Sequence, residues 1–357
     1  MLERILDQVV ARGATPGGVL IAADQGAVTH HIAFGTTSAE PDGSGVPVTA
    51  ETLYDLASLT KPIATVGSVM KLVDSGALDL EDPVRKWIPE LTGEATSEIE
   101  VRDLLTHSSG LPAHLKFYER ILAGETLDAR SPRETLLRMV ASTPIEYERN
   151  TQSVYSDLGF ILLGFVVERA TGERLDRVAQ RLVFDPVGMA GARFVDLEQT
   201  DRPAHAAPTE RCPYRGLVVG EVHDQNCHAA GGIMGHAGLF AAADDVARFA
   251  DAMVKATAGF DASIIEMFGA RCDVPDSTRT LGWDTPSSTP GESHAGELFS
   301  RASFGHLGFT GTALWIDRAH GRFVALIANS IHPAVQRPVT KAMRRDVMDA
   351  VVRELDS

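Results

Sequence analysis

Cysteine is scarce in this chain of 357 residues: Cys212, Cys227 and Cys272 are odd in number and irregularly spaced, unlike the framework of a disulfide-stapled secreted domain. Long basic runs are also missing, and the formal net charge is −15, so nucleic acid and anionic membrane surfaces are excluded as natural partners. No window is long and apolar enough to span a bilayer. The start, MLERILDQVVARG, lacks the basic opening and uninterrupted apolar run of a secretory leader. A reducing, cytoplasmic setting is the expectation, or a periplasmic one if a leader has been removed. There is no internal repeat.

What is present is ordinary globular composition, 44% hydrophobic and 23% charged, in a chain long enough for about two domains' worth of core. Leu2, Ile5, Leu6, Val9 and Val10 share one helical face, so the first segment reads as an amphipathic helix. GGVLIAAD and AVTHHIAFG read as strands joined by a hairpin at Gln25-Gly26, and GTALWIDR and RFVALIANS as a second strand pair. VTKAMRRDVMDAVVREL closes the chain as another amphipathic helix. Between the two strand groups helical patterns dominate, including SPRETLLRMVAS with its capping serine and DLGFILLGFVVERATG with its stop at glycine. The expected fold class is α/β (α+β): one antiparallel sheet built from both chain ends, flanked by the terminal helices, with a mainly helical domain inserted. Residues 1–61 and 280–357 would form the sheet domain and 62–279 the helical one, with the active site between them.

Two serines precede a lysine by three residues, Ser58 to Lys61 and Ser68 to Lys71. Pro62 is tolerated only in the first turn of a helix, which puts Ser58 and Lys61 at a helix start. Residues three apart share a face, so Lys61 Nζ reaches Ser58 Oγ, and the positive helix end favours a developing alkoxide and a neutral amine. Ser68 and Lys71 fall mid-helix and read as surface or packing residues.

A serine and lysine also need an oxyanion hole and a second proton-handling group. Tyr155-Ser156-Asp157 opens one helix, and Ser303 to Gly311 leads into the strand TALWIDR. With the flanks LYDLASLTK, VRDLLTHSSGLP, YSDLGF, GHAGLF and GHLGFTGTALWID, the chain resembles the serine β-lactamase and penicillin-binding-protein superfamily, particularly its class C branch of β-lactamases, esterases and D-amino-acid peptidases. The resemblance runs from the first hairpin to the last helix.

That resemblance implies an acyl-enzyme with Ser58 as nucleophile, Lys61 as proton acceptor and Tyr155 as the group that passes a proton to the leaving group. It implies an oxyanion hole from the backbone N–H groups of Ser58 and Phe309. It places His306 and Gly308 at the third motif, where Lys-Thr-Gly usually stands, and Gly308 is expected to keep the substrate path clear. With Leu307 in place of the threonine, β-lactam hydrolysis is less favoured than ester cleavage. Asp157 replaces the usual asparagine and is expected beside Lys61, while His114 and His223 are expected near substrate. The spacing of His223, Asp224, Cys227, His228 and His236 matches no familiar zinc motif, so neither metal nor cofactor is expected. Cys227 and Cys272 read as buried small hydrophobes. The implied partner is a small molecule: an ester, a D-amino-acid peptide or a β-lactam. A D-alanyl-D-alanine carboxypeptidase is the alternative enzyme, and a non-catalytic sensor or scaffold binding peptidoglycan fragments or β-lactams is the alternative of another class.

Overall fold

Apolar runs from the two ends of the chain meet in one sheet, where the central strands are buried along their length. A computed structural model describes residues 2–40, 45–199, 202–203, 205–335 and 337–357. Strands β1 (Gly17–Asp24), β2 (Ala27–Gly35), β3 (Phe304–Leu307), β4 (Ala313–Asp317) and β5 (Arg322–Ala328) form a five-stranded antiparallel sheet in the order β2-β1-β5-β4-β3. The β1–β2 turn is tight because Gln25 and Gly26 both adopt positive φ, 48° and 82°. Pairing Leu20 with Leu326 and Ile21 with Ala325 places β1 beside β5, so residues about 300 positions apart are neighbours.

Both faces of the sheet are covered. Leu20, Ala22, Trp315 and Val324 pack under helices α1 (Leu2–Ala11) and α5 (Arg337–Leu355) through Leu2, Leu6, Val347 and Val351. Val19, Ile21, Leu314, Ile316 and Phe323 face a larger core that continues into the helical part. That part includes α2 (Gly67–Asp74), α3 (Asp157–Thr171) and α4 (Ala243–Lys255). Helix α3 starts at Ser156, whose hydroxyl accepts the Gly159 N–H at 3.2 Å, and stops at Gly172 in the left-handed conformation. The expected α/β class, with an antiparallel sheet from both ends and helices between, is the observed one.

A small three-stranded sheet of two- and three-residue strands, Tyr54–Asp55, Leu239–Ala241 and Arg193–Phe194, was not expected from the sequence. Strands this short carry no readable alternation. Cys227 is buried as expected, whereas Cys272 is only partly buried, because it lies on an open loop with its Sγ 3.5 Å from Ser277 Oγ.

Helix α3 meets the segment before Leu239 through two glycines. A Cβ on Gly164 would lie 2.9 Å from Gly235 Cα, and one on Gly235 would lie 2.1 Å from the Phe160 carbonyl oxygen. Thr65 Oγ1 donates to the Gly235 carbonyl at 2.7 Å, tying the same segment to the helical run that follows Ser58. Gly164→Ala should therefore destabilise the protein by about 1–3 kcal/mol through overpacking. Urea unfolding of the variant, with the midpoint compared with wild type, checks this.

Candidate active site

The serine turn is built by a short strand, a strained residue and a buried carboxylate. After Tyr54–Asp55 the chain enters a tight turn over Ala57–Leu59, and Ala57 has φ +47°, a conformation costly for a residue with a Cβ. Buried Asp55 stabilises that turn: its Oδ1 accepts the Ala57 N–H at 2.8 Å and its Oδ2 accepts the His223 N–H at 2.7 Å. Burial raises the Asp55 pKa, and these two donors oppose the rise. From Lys61 to Val66 the helix is wider than an α-helix before α2 begins, so Ser58 sits on an irregular first turn rather than on a regular α-helix.

The spacing still delivers the expected contact. Lys61 Nζ donates to Ser58 Oγ at 3.1 Å, to Asp157 Oδ1 at 2.7 Å and to the His236 carbonyl at 3.3 Å. Lys61 is fully buried. Burial works against its charge, but Asp157 and Tyr155 outweigh it and the pKa is raised. Burial would likewise raise the Asp157 pKa, yet Lys61, with His114 and His236, holds the carboxyl well below the usual carboxylate range. Asp157 is the first residue of α3, where the helix end also favours a negative charge. Its second oxygen lies 3.4 Å from His114 Nδ1, and this contact raises the His114 pKa.

Tyr155 shares the space. Lys61 Nζ is 4.8 Å and the Arg279 guanidinium carbon 5.2 Å from the centre of its ring. His306 is buried, its ring 5.8 Å from that of Tyr155, and its Nδ1 donates to the Leu307 carbonyl at 2.7 Å. Burial, with Lys61 and Arg279 nearby, drives the His306 pKa well below its ordinary value, so this histidine does not supply the cation of the usual Lys-Thr-Gly. Gly308 lies just past β3. A Cβ there would strike Thr312 Oγ1 at 2.0 Å and the Leu56 carbonyl at 2.4 Å, so docking of the loop on the serine segment itself requires a glycine here. Thr310 and Thr312 donate to the Asp55 and Leu56 carbonyls at 2.8 and 3.1 Å, completing that dock. Phe309 stacks on His223 at 5.5 Å, and His223 Nε2 lies 2.8 Å from Glu210 Oε2.

The second serine-lysine pair is a packing feature. Ser68 Oγ donates to the Ala64 carbonyl at 2.7 Å, and Lys71 Nζ donates to the Ala258 carbonyl at 2.8 Å over the Phe260 ring. The histidine-rich segment is divided among three acids: His223 with Glu210, His228 with Glu221 and His236 with Asp224.

Sequence reasoning missed three residues. Asp55 stood inside the quoted flank LYDLASLTK, but a carboxylate that serves backbone donors has no spacing signature. His107, in VRDLLTHSSGLP, accepts the Ser156 N–H on Nδ1 at 3.0 Å and lies 4.7 Å from the Tyr155 ring, so it braces the segment carrying Tyr155 and Asp157. Arg279 comes from a loop remote in sequence.

An antiparallel sheet edge facing a serine and lysine on one helical turn is the arrangement of β-lactamase-type serine hydrolases. A family model described as Beta-lactamase matches residues 2–348, and the chain belongs to that family. It is 31% identical over 366 residues to the N-acetylmuramyl-L-alanine amidase of Bacillus subtilis (strain 168), covering 94% of this chain and 82% of the relative. A protein of Escherichia coli (strain K12), provisionally named a D-alanyl-D-alanine carboxypeptidase, is also 31% identical over 366 residues, covering 94% and 83%. The fold matches the solved structure of EstCE1, a hydrolase with promiscuous acyltransferase activity, with TM-score 0.77 at 20% identity over 98% of this chain and 97% of the other. The chain is thus a serine hydrolase of the β-lactamase family.

Asp55→Ala should orphan the buried Ala57 N–H at a cost of roughly 1–3 kcal/mol and remove the acceptor of the part-buried His223 N–H as well. Chemical denaturation should register the loss of stability, and Asp55→Asn, which keeps one acceptor oxygen, should recover part of it.

Proposed function

We propose that the protein cleaves small esters or D-amino-acid-containing amides through an acyl-enzyme on Ser58. The observation that carries this reading is the 3.1 Å contact between Ser58 Oγ and a buried Lys61. In its neutral form Lys61 takes the proton of Ser58 as Oγ bonds to the substrate carbonyl carbon. The resulting oxyanion is held by the N–H groups of Ser58 and Phe309. Tyr155 hands a proton to the leaving oxygen or nitrogen as that bond breaks, and then helps a water cleave the acyl-serine. Asp157 and His114 set the charge on Lys61, while His306, Gly308 and His223 shape the substrate edge. The site lies between a sheet unit, 1–61 with 280–357, and a helical unit, 62–279.

The names of the relatives support amide or peptide substrates with D-configured or muramyl groups, and the structural likeness to an acyl-transferring hydrolase is compatible with esters. A neutral His306 and an apolar Leu307 at the third motif favour esters over β-lactams, because a substrate carboxylate loses both a cation and a hydroxyl there. The three free thiols support a reducing, cytoplasmic compartment, and no helix among the described residues is long and apolar enough to cross a membrane.

A fluorophosphonate or activated ester should label Ser58 and nothing else in the site. Peptide mapping locates the adduct, and labelling on Ser68, or labelling that survives Ser58→Ala, contradicts the assignment. Short-chain p-nitrophenyl esters should be turned over faster than penicillins, whatever the absolute rates.

The pH dependence follows from the ion pair. Asp157 favours the ammonium form of Lys61, so the reactive neutral form gains population only as pH rises, and kcat/KM should show an acid limb leading to an alkaline optimum. Asp157→Asn removes the charge but keeps an acceptor oxygen for Lys61. The lysine pKa then falls, and the limb should move to lower pH. Profiles of both proteins on one ester decide the matter, and an unmoved limb in a folded variant contradicts it.

A further inference from the structure

Arg344 is buried on α5, yet no carboxylate pairs with it among the described residues. Burial alone pushes its pKa down to about 10. A guanidinium in such a position needs a compensating function. Its Nη2 donates to the Gly308 carbonyl and its Nε donates to the Gly311 carbonyl at 3.3 Å. The Gly308 oxygen also accepts the Gly311 N–H at 3.2 Å, so both of its lone pairs are engaged.

The Gly308 carbonyl and the Phe309 N–H belong to one peptide group. Among the described residues the only cis bond is His332–Pro333, so this peptide is trans and its C=O and N–H point in opposite directions. Fixing the carbonyl toward Arg344 fixes the N–H away from it. The loop bearing that N–H is docked on Asp55 and Leu56, next to Ser58, by Thr310 and Thr312. A cation on the carbonyl also polarises the peptide and strengthens its N–H as a donor.

We propose that Arg344 is a positioning residue of the oxyanion hole, clamping the Gly308–Phe309 peptide so that its N–H stays aimed at the carbonyl oxygen that becomes the oxyanion. The inference rests on the reading of Ser58 and Phe309 given above. It assigns the last helix a part in the chemistry that none of the sequence motifs carries. A clamp that acts on the transition state lowers kcat and the affinity for tetrahedral analogues, whereas a purely structural arginine lowers stability alone. A cavity of about 230 Å³, lined by Arg344 together with His294, Phe309 and Lys341, gives a small cation a route to the vacated position.

The test compares wild type, Arg344→Met and Arg344→Lys on one p-nitrophenyl ester, with boronic-acid affinity and thermal melting measured alongside. Arg344→Met should lose roughly 10- to 100-fold in kcat with little change in KM. Boronate affinity should fall in parallel, and low-millimolar methylguanidinium should restore part of both. Arg344→Lys should be intermediate, because one ammonium does not span two carbonyls in the fork geometry. A folded Arg344→Met that keeps kcat and boronate affinity within twofold of wild type overturns the proposal. If Arg344→Met does not fold, a fully active Arg344→Lys overturns it instead. Failure of a fluorophosphonate to label Ser58 in the wild type would sink the nucleophile assignment separately, without reference to Arg344.

Discussion

The contact between Lys61 Nζ and Asp157 Oδ1, 2.7 Å long and closed to solvent on the lysine side, is the constraint around which the rest is arranged. A fully buried ammonium is tolerable only with a partner, and breaking such a pair from one side typically costs about 3–5 kcal/mol. The pair joins the turn after Ser58 to the first residue of α3, and the His236 carbonyl adds a third segment. Three stretches far apart in sequence are thereby held against one amine. The same pair sets a chemical condition, since the carboxylate that makes burial of Lys61 tolerable also keeps it protonated.

Around the amine, the site is held mainly by backbone groups satisfied by side chains. Asp55 holds the strained turn at Ala57 and the His223 segment, His107 holds the Ser156 N–H, and Arg344 holds the Gly308 and Gly311 carbonyls. Each of these side chains is buried and comes from a different element. Such an arrangement fixes peptide groups at the site without regular secondary structure, which suits a place where N–H groups are wanted for a ligand and not for a ladder.

Legibility followed sequence distance. β1, β2, β4, β5 and both terminal helices declare themselves through local period, and Gln25-Gly26 and Gly172 mark their own turns. Ser58 and Lys61 were separated from Ser68 and Lys71 by one local feature, Pro62, and the structure puts the first pair in contact and the second pair apart. Asp157 beside Lys61 was expected from the motif order, 96 residues away in sequence. Asp55, His107, Arg279 and Arg344 were illegible because their contacts depend on loop paths that no period encodes. The small sheet escaped for the same reason, and so did the docking requirement at Gly308, because the atoms that crowd it belong to Leu56 and Thr312.

The most direct test is the charge on Lys61 itself, read from the side-chain nitrogen and Cε shifts of isotopically labelled lysine across pH and assigned by the signal that disappears in Lys61→Arg. The paired, buried amine should appear as an ammonium at neutral pH in the free protein, losing its proton only above the ordinary lysine value of about 10.4. Asp157→Asn should bring that titration down. A neutral Lys61 amine at pH 7 in the wild-type protein would contradict the account.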